Sequence, residues 1–200
     1  MNYVRNYYSG IELPGRLFGF SHVCVNEIMK IRYHFDTYKA AGIDGLSGIF
    51  IKDGAKILSK PISDLINLSI SQSSVPESCK VAKLKPLFKK GFKLEPKNFR
   101  PISLLPLISK VLEKVIHDQM QTFLTDNNII YCYQSGFRKF HSTDTCLSYL
   151  NNNILKGIDC GLITVLILID LQIAFDTIDH ELLLEKMVHL QFSTQSILWS

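Results

Sequence analysis

The stretch "LILIDLQIAFDTIDHELL", residues 166–183, sets an apolar run against three carboxylates, Asp170, Asp176 and Asp179. Residues 162–169 form a short segment rich in branched apolar side chains, a pattern typical of a strand that is buried on both faces. Buried charge is costly unless it is paired or bound to a metal ion. We therefore predict an inner strand that ends at Asp170, and a partner that balances this carboxylate.

A divalent cation is one such partner. A carboxylate is a hard oxygen ligand and suits Mg²⁺, which usually takes one or two carboxylates together with substrate phosphates. Together with a basic segment elsewhere in the chain, this favours phosphoryl or nucleotidyl transfer. Two simpler interpretations of Asp170 stay open, a helix N-cap and an ion pair with a lysine. Asp176 and Asp179 both precede a helical pattern, so we expect them to cap a helix.

Residues 80–100 concentrate positive charge. Lys83 and Lys85 alternate there with Ala82 and Leu84, which predicts a strand with one basic face. Either a solvated face or a phosphate-facing surface would explain the cluster. Its cations are Lys80, Lys83, Lys85, Lys89, Lys90, Lys93, Lys97 and Arg100, opposed only by Glu95.

Composition places the chain among ordinary globular proteins. Its 200 residues, 46% of them hydrophobic, suit one domain or a piece of a larger one, and its formal net charge is +4. The five cysteines form no CxxC pair, which predicts a reduced intracellular chain without a zinc site. No signal peptide or membrane-spanning stretch is apparent, so we expect a soluble protein of the cytoplasm or nucleus.

Helical periodicity is clearest over residues 107–124. We also expect helices within residues 23–39, after Pro61, from a cap at Ser142 or Thr143 onward, and over residues 182–190. Residues 40–48 have the glycines and Asp of a loop. The order of elements predicts a mixed α and β domain in which long helices cover few strands.

Three other enzyme classes lack their required residues. Position 172 is Gln where phosphatases of the haloacid dehalogenase type need a second Asp, and no GxxxxGK[ST] loop occurs. His180 has no Ser or Cys at a convincing position for a hydrolase triad. We expect His117 and His141 to be surface or hydrogen-bonding residues.

Six stretches together resemble the reverse transcriptase domain of non-LTR (LINE or jockey-like) retrotransposons. They follow the family's order and cover roughly residues 20–190. The stretches are "KAAGIDGL", "PISDLINLSI", "PLFKKG", "NFRPISLLPLISKVLEKVI", "QSGFRKFHST" and "LIDLQIAFDTIDHELLLEKM".

The resemblance implies an α+β fold, the fingers and partial palm of a right-handed polymerase. Residues 20–160 would form a fingers-like region with helices and a basic strand pair, and residues 161–200 the start of the palm, while residues 1–19 stay unassigned. The family's later palm motif, ending in Asp-Asp, is absent. We therefore expect a truncated, N-terminal piece of an RNA-directed DNA polymerase that is inactive by itself.

The resemblance also implies site residues. Asp170 and the Leu171 carbonyl would bind Mg²⁺, and Lys89 and Arg100 would contact the triphosphate of the incoming nucleotide. The partners would be an RNA template, a DNA primer and deoxynucleoside triphosphates.

Two further residues gain roles from the same resemblance. Phe175 would exclude a ribose 2′-hydroxyl, although its ring could equally pack in the core, and Arg138 would face template or nucleotide. The sequence departs from the family at Ile173, usually Lys, and at Phe92, usually Asp. A non-catalytic nucleic-acid-binding module and an unstable remnant of a retroelement are the alternatives.

Overall fold

The computed structural model describes residues 15–31, 40–171, 174, 175 and 177–200. Predictions that fall on other positions, including Asp176, Ile173 and the second half of the predicted helix at residues 23–39, lie outside the described residues. The elements are α1 (Val25–Ile31), α2 (Gly48–Ser71), α3 (Glu77–Lys80), β1 (Lys83–Phe88), β2 (Phe99–Leu104), α4 (Leu107–Asp126), α5 (Thr143–Asp159), α6 (His180–His189) and α7 (Thr194–Trp199).

The main core lies between α1, α2 and α4. Helix α4 repeats apolar residues at three and four positions, and that stripe packs against the buried faces of the other two helices. Ile66 of α2 and Val111 of α4 are completely buried. The buried members are Val23, Ile28, Ile31, Ile51, Ile62, Ile66, Leu107, Val111, Leu112, Val115 and Ile116.

A second, smaller cluster joins the two ends of the described chain. Phe18, Met187 and Phe192 are buried together. The backbone of Phe18 pairs with this region, since its N–H donates to the Gln191 carbonyl and its carbonyl accepts from Ser193 N–H, both at 2.7 Å. The segment before α1 is thereby attached to the segment after α6.

Helix α2 corrects a sequence prediction. We expected a helix to start after Pro61, but α2 starts at Gly48 and Pro61 lies inside it. Proline removes the hydrogen bond to the carbonyl four residues earlier, here that of Ile57, and that residue is 81% exposed, so water can bind this carbonyl. Burial continues on the other side of the helix, through Ile51, Ala55, Ile62 and Ile66. Packing of that face outweighs the local cost of the proline.

Several sequence predictions are confirmed. Helix α4 begins at Leu107 as expected and ends at Asp126. Ser142 caps α5 in a capping box with Thr145, and the Asp179 carboxylate caps α6 by accepting from Leu182 N–H at 3.1 Å. The predicted basic strand forms as β1.

Strands β1 and β2 form an antiparallel hairpin in which Pro86 lies opposite Pro101. Beyond the last pair, Lys89 N–H donates to the Asn98 carbonyl at 2.8 Å. Because hydrogen-bonded and non-hydrogen-bonded pairs alternate in such a ladder, the two prolines occupy a non-hydrogen-bonded pair. Neither proline removes a bond of the hairpin, and both place a missing N–H on an outer edge, where it hinders the addition of another strand.

The predicted buried strand at residues 162–169 is wrong. This segment forms no strand, and its side chains are exposed, for example 94% at Ile163 and 85% at Leu168. An apolar strand becomes buried only where other strands supply its hydrogen bonds and its cover. Among the described residues the only strand pairing is the β1–β2 hairpin and a single bridge between Phe18 and Phe192. Asp170 is therefore exposed rather than placed at the end of an inner strand.

The helices in the described ranges differ from membrane-spanning helices. None of them combines the length and the apolar character needed to cross a membrane.

Candidate functional site

The register of the hairpin defines one basic face. Lys85 lies opposite Ile102 and Leu87 opposite Arg100. Because strand side chains alternate between faces, Lys83, Lys85 and Arg100 share one face of the sheet. The Lys89–Asn98 hydrogen bond extends this pairing, so Lys89 and Arg100 are diagonal neighbours, a relationship that typically separates residues by about 7–8 Å. We call Lys83, Lys85, Lys89 and Arg100 the basic face.

The opposite face of the hairpin is aromatic. The rings of Phe88 and Phe99 meet edge to face with centroids 5.5 Å apart, and Lys93 Nζ lies 5.6 Å from the centre of the Phe88 ring. Lys93 is thus a cation of the same segment held on an aromatic ring. It offers a matched comparison for the cations of the basic face.

Ion pairs divide the cations of residues 80–100 into two groups. Lys80 pairs with Glu77 at 2.6 Å and Lys97 with Glu95 at 3.0 Å. In the part of the chain that the structure describes, no carboxylate pairs with any cation of the basic face. This exposed face therefore carries a concentration of uncompensated positive charge, which attracts phosphate.

Asp170 and Leu171 are exposed and lie before the turn at residues 174 and 175. No hydrogen bond or salt bridge joins Asp170 to Lys89 or Arg100 within the described residues. Nor do these residues contain a group of three or more His, Cys, Asp or Glu side chains able to hold a metal ion. The available donors, one carboxylate and one carbonyl, are hard oxygens and fit a Mg²⁺ ion that completes its shell with water and substrate phosphate.

Phe175 contacts a second predicted motif. Its ring meets that of Phe137 at 90°, with centroids 6.3 Å apart. Both side chains are largely exposed, 77% for Phe175 and 83% for Phe137, so core packing does not explain Phe175. The structure thus brings the loop that carries Arg138 beside the segment that carries Asp170.

Arg138 stabilises the loop in which it lies by hydrogen bonds to backbone carbonyls. Its Nη1 donates to the carbonyls of Tyr131, Cys132 and Gln134 at 3.1–3.4 Å. A guanidinium has five N–H donors, and these contacts all use one terminal nitrogen. Arg138 therefore has a structural role that sequence reasoning missed, with donors left over for a ligand.

Three tyrosines form a cluster to which sequence reasoning gave no role. The ring centroids of Tyr131 and Tyr133 lie 5.4 Å apart, and those of Tyr133 and Tyr149 lie 5.3 Å apart. We call these three residues the tyrosine cluster. The sequence signal for this cluster was the Tyr-x-Tyr spacing of Tyr131 and Tyr133 just before the "QSGFRKF" motif. The contact of these residues with Tyr149 of α5 depends on the fold.

Comparisons with known proteins agree with these motifs. The family model for the reverse transcriptase (RNA-dependent DNA polymerase) matches residues 87–200, a range that contains Lys89, Arg100, Arg138, Asp170 and Phe175. The "Probable RNA-directed DNA polymerase from transposon BS" of Drosophila melanogaster is 29% identical in an alignment of 173 residues that covers 83% of this chain and 18% of that protein.

Two further relatives from Drosophila melanogaster show the same pattern. The "RNA-directed DNA polymerase from mobile element jockey" is 27% identical over 85% of this chain and 19% of its own length. The "Probable RNA-directed DNA polymerase from transposon X-element" is 28% identical over 77% of this chain and 17% of its own length. The chain thus spans less than a fifth of these curated relatives, and their names confirm the resemblance to non-LTR retrotransposons. Because the family model covers more than half of the chain, the protein belongs to the reverse transcriptase (RNA-dependent DNA polymerase) family.

Proposed function

We propose that this chain supplies the nucleotide-binding surface and one metal-binding carboxylate of an RNA-directed DNA polymerase. The parent activity would transfer a deoxynucleotide from its triphosphate to a DNA primer on an RNA template, with residues 20–160 as fingers and residues 161–200 as the start of the palm. The observation that supports this most strongly is the family match over residues 87–200, which covers all of the proposed site residues.

The basic face would bind the triphosphate. Lys89 and Arg100 share that face by register, and within the described residues no carboxylate neutralises them. Arginine presents a planar fork that can bond two phosphate oxygens, and lysine adds a compact point charge. The pair therefore suits the dense negative charge of a nucleoside triphosphate.

Asp170 and the Leu171 carbonyl would hold a divalent cation, for which we propose Mg²⁺. An ion bound there would neutralise negative charge on the phosphoryl group that is transferred. The exposure of Asp170 leaves its carboxylate accessible to an ion that still carries water and phosphate ligands. Asp179 is assigned elsewhere, since its carboxylate caps α6.

Phe175 would act on the sugar. A bulky ring beside the nucleotide leaves room for a 2′-hydrogen but not for a 2′-hydroxyl, so Phe175 would favour deoxynucleotides. The edge-to-face contact with Phe137 supports this proposal, because it orients the Phe175 ring outside the core. Arg138, adjacent to Phe137, would use its remaining donors on template or nucleotide.

Equilibrium binding of a fluorescent deoxynucleoside triphosphate to the purified chain, with Mg²⁺ present, tests the proposal. We expect Arg100→Ala or Lys89→Ala to weaken binding about 10–100-fold, since hydrogen bonds to charged groups contribute about 1.5–3 kcal/mol each. Lys93→Ala removes one positive charge from the same segment but on the aromatic face, and should change the affinity less than twofold. Equal losses in all three variants would show that only overall charge matters and would refute the assigned site.

A further inference from the structure

The tyrosine cluster is an exposed group of aromatic rings outside the core. Tyr131, Tyr133 and Tyr149 are 63%, 57% and 50% exposed, although their rings contact one another. Aromatic side chains usually bury most of their large surface. Three rings that meet and still keep half of their area open offer flat surface to a ligand with its own aromatic faces.

Polar groups lie beside the Tyr133 and Tyr149 rings. The interaction between the hydroxyls of Tyr133 and Tyr149 raises the pKa of Tyr133 and lowers the pKa of Tyr149. Asn153 and the charge of Lys156 add to the lowering of the Tyr149 pKa. The Tyr133 and Tyr149 rings thus meet beside the polar side chains of α5.

Charge on α5 is distributed by face. Tyr149, Asn153 and Lys156 are spaced at i, i+4 and i+7, so they share one side of the helix. Asp144 lies five residues before Tyr149, a spacing that puts it on the opposite side. The side of α5 that carries the tyrosine thus presents an amide and a cation, with Asp159 three residues after Lys156 at the end of the helix.

Arg138 adds a second positive group at the other end of the cluster. It donates to the carbonyl of Tyr131 and fixes the loop that carries Tyr131 and Tyr133. Exposed aromatic rings bordered by cations are the arrangement that binds single-stranded nucleic acid, in which bases stack on rings and phosphates meet the positive groups.

We propose that the tyrosine cluster binds a single-stranded segment of nucleic acid by stacking unpaired bases on Tyr131, Tyr133 and Tyr149, with Lys156 contacting a phosphate. The stacking itself is independent of polymerisation. One part of the proposal rests on the proposed function, namely that the bound strand is an unpaired template. It assigns this surface to a site separate from the basic face of the hairpin.

Fluorescence anisotropy with labelled oligonucleotides tests this proposal on the whole chain. We expect Tyr133→Ala and Tyr149→Ala to weaken binding of single-stranded RNA about 5–100-fold each, because stacking on an aromatic side chain contributes about 1–3 kcal/mol per base. Tyr133→Phe and Tyr149→Phe keep the rings and should stay within about threefold of the original chain. Leu155→Ala is the matched control, since Leu155 is 49% exposed on the same helix but faces away from Tyr149.

Two further titrations are needed. One separates base stacking from binding by charge, and the other compares RNA with DNA. An abasic strand with the same phosphates should bind the unmodified chain as weakly as RNA binds the alanine variants, and this arm requires no folded variant. Parallel titrations with DNA of the same sequence distinguish an RNA site from one that accepts either strand. If the alanine variants bind RNA as well as the original chain, or the abasic strand binds equally well, the surface does not stack bases and the proposal fails.

The failure of this proposal can be told apart from the failure of the proposed function. Loss of triphosphate binding in Arg100→Ala with unchanged oligonucleotide binding in the tyrosine variants would refute only the tyrosine site. The reverse result would refute only the triphosphate site. A cluster covered instead by another protein segment would leave RNA affinity unchanged in every tyrosine variant, which counts against the proposal.

Discussion

The Asp44 carboxylate accepts a hydrogen bond from the backbone N–H of Leu107 at 2.7 Å, across 63 residues of sequence. Leu107 is the first residue of α4, and the N-cap position is Pro106, whose side chain makes no capping bond. Asp44 therefore caps this central helix from outside and places a negative charge at the positive end of its dipole. Its other oxygen accepts from Leu46 N–H at 3.2 Å, which fixes the turn.

Removal of the Asp44 side chain should destabilise the fold. We expect Asp44→Ala to lower the free energy of unfolding by about 1–2 kcal/mol, the upper part of the range for the loss of an N-cap. Urea denaturation followed by circular dichroism measures it. Asp53→Ala, at an exposed position of α2, is the control and should cost less than about 0.5 kcal/mol. Equal costs at both positions would show that the Asp44 bond contributes nothing.

Gly42 explains why the same turn packs so closely on the start of α4. A Cβ built at Gly42 would lie 2.3 Å from the Leu105 carbonyl oxygen, which is backbone and cannot move aside easily. We expect Gly42→Ala to cost about 1–3 kcal/mol, as overpacked sites do. Gly136→Ala is the control, because nothing lies within 4 Å of a Cβ there. A stability of Gly42→Ala within error of Gly136→Ala would contradict the close approach.

Sequence patterns predicted elements whose causes are local. The alternation at Lys83 and Lys85 gave β1, and the side chain of Ser142 gave the start of α5, because each depends on neighbours within a few residues. The helix start predicted after Pro61 was wrong for the same reason. The local preference of proline for a first helical turn predicted a start there, but tertiary packing stabilises a helix that continues through Pro61. Asp44 was missed because its partner lies 63 residues away.

The segment at residues 162–169 shows what a hydrophobic pattern leaves open. Its apolar composition indicates that burial would be favourable. Burial also requires neighbouring strands, and none pairs with this segment among the described residues. The basic face could be anticipated from the positions of the lysines. Two aromatic contacts could not be anticipated, because they depend on the fold. They are the contact of Phe137 with Phe175 and that of Tyr149 with Tyr133.

Exposure of this segment predicts tolerance to charge. Ile167 is 77% exposed, so Ile167→Lys should leave the midpoint of thermal unfolding unchanged within about 1 °C and should raise solubility. Ile66→Ala is the comparison, because that side chain is fully buried and its truncation should cost about 2–5 kcal/mol. A large destabilisation by Ile167→Lys would mean that the segment is buried in solution.

The cap of α5 should act locally. No residue of α5 is buried, so the helix gains little from packing and depends on its ends. We expect Ser142→Ala to accelerate amide hydrogen exchange in the first turn of α5 by about 2–30-fold, corresponding to about 0.5–2 kcal/mol, while α4 stays protected. Ser148→Ala, in the exposed middle of the helix, should not accelerate exchange there. Uniform acceleration in both helices would show that the cap supports the whole fold.

We propose that Asp170 binds a divalent cation beside the nucleotide that the basic face holds. The most direct measurement is the affinity for a deoxynucleoside triphosphate, titrated with and without Mg²⁺, in the original chain, Asp170→Asn and the control Asp144→Asn. We predict that Mg²⁺ strengthens binding in the original chain and in Asp144→Asn, and that Asp170→Asn loses this strengthening while it retains the Mg²⁺-independent binding to Lys89 and Arg100. An unchanged dependence on Mg²⁺ in Asp170→Asn would show that Asp170 does not bind the cation.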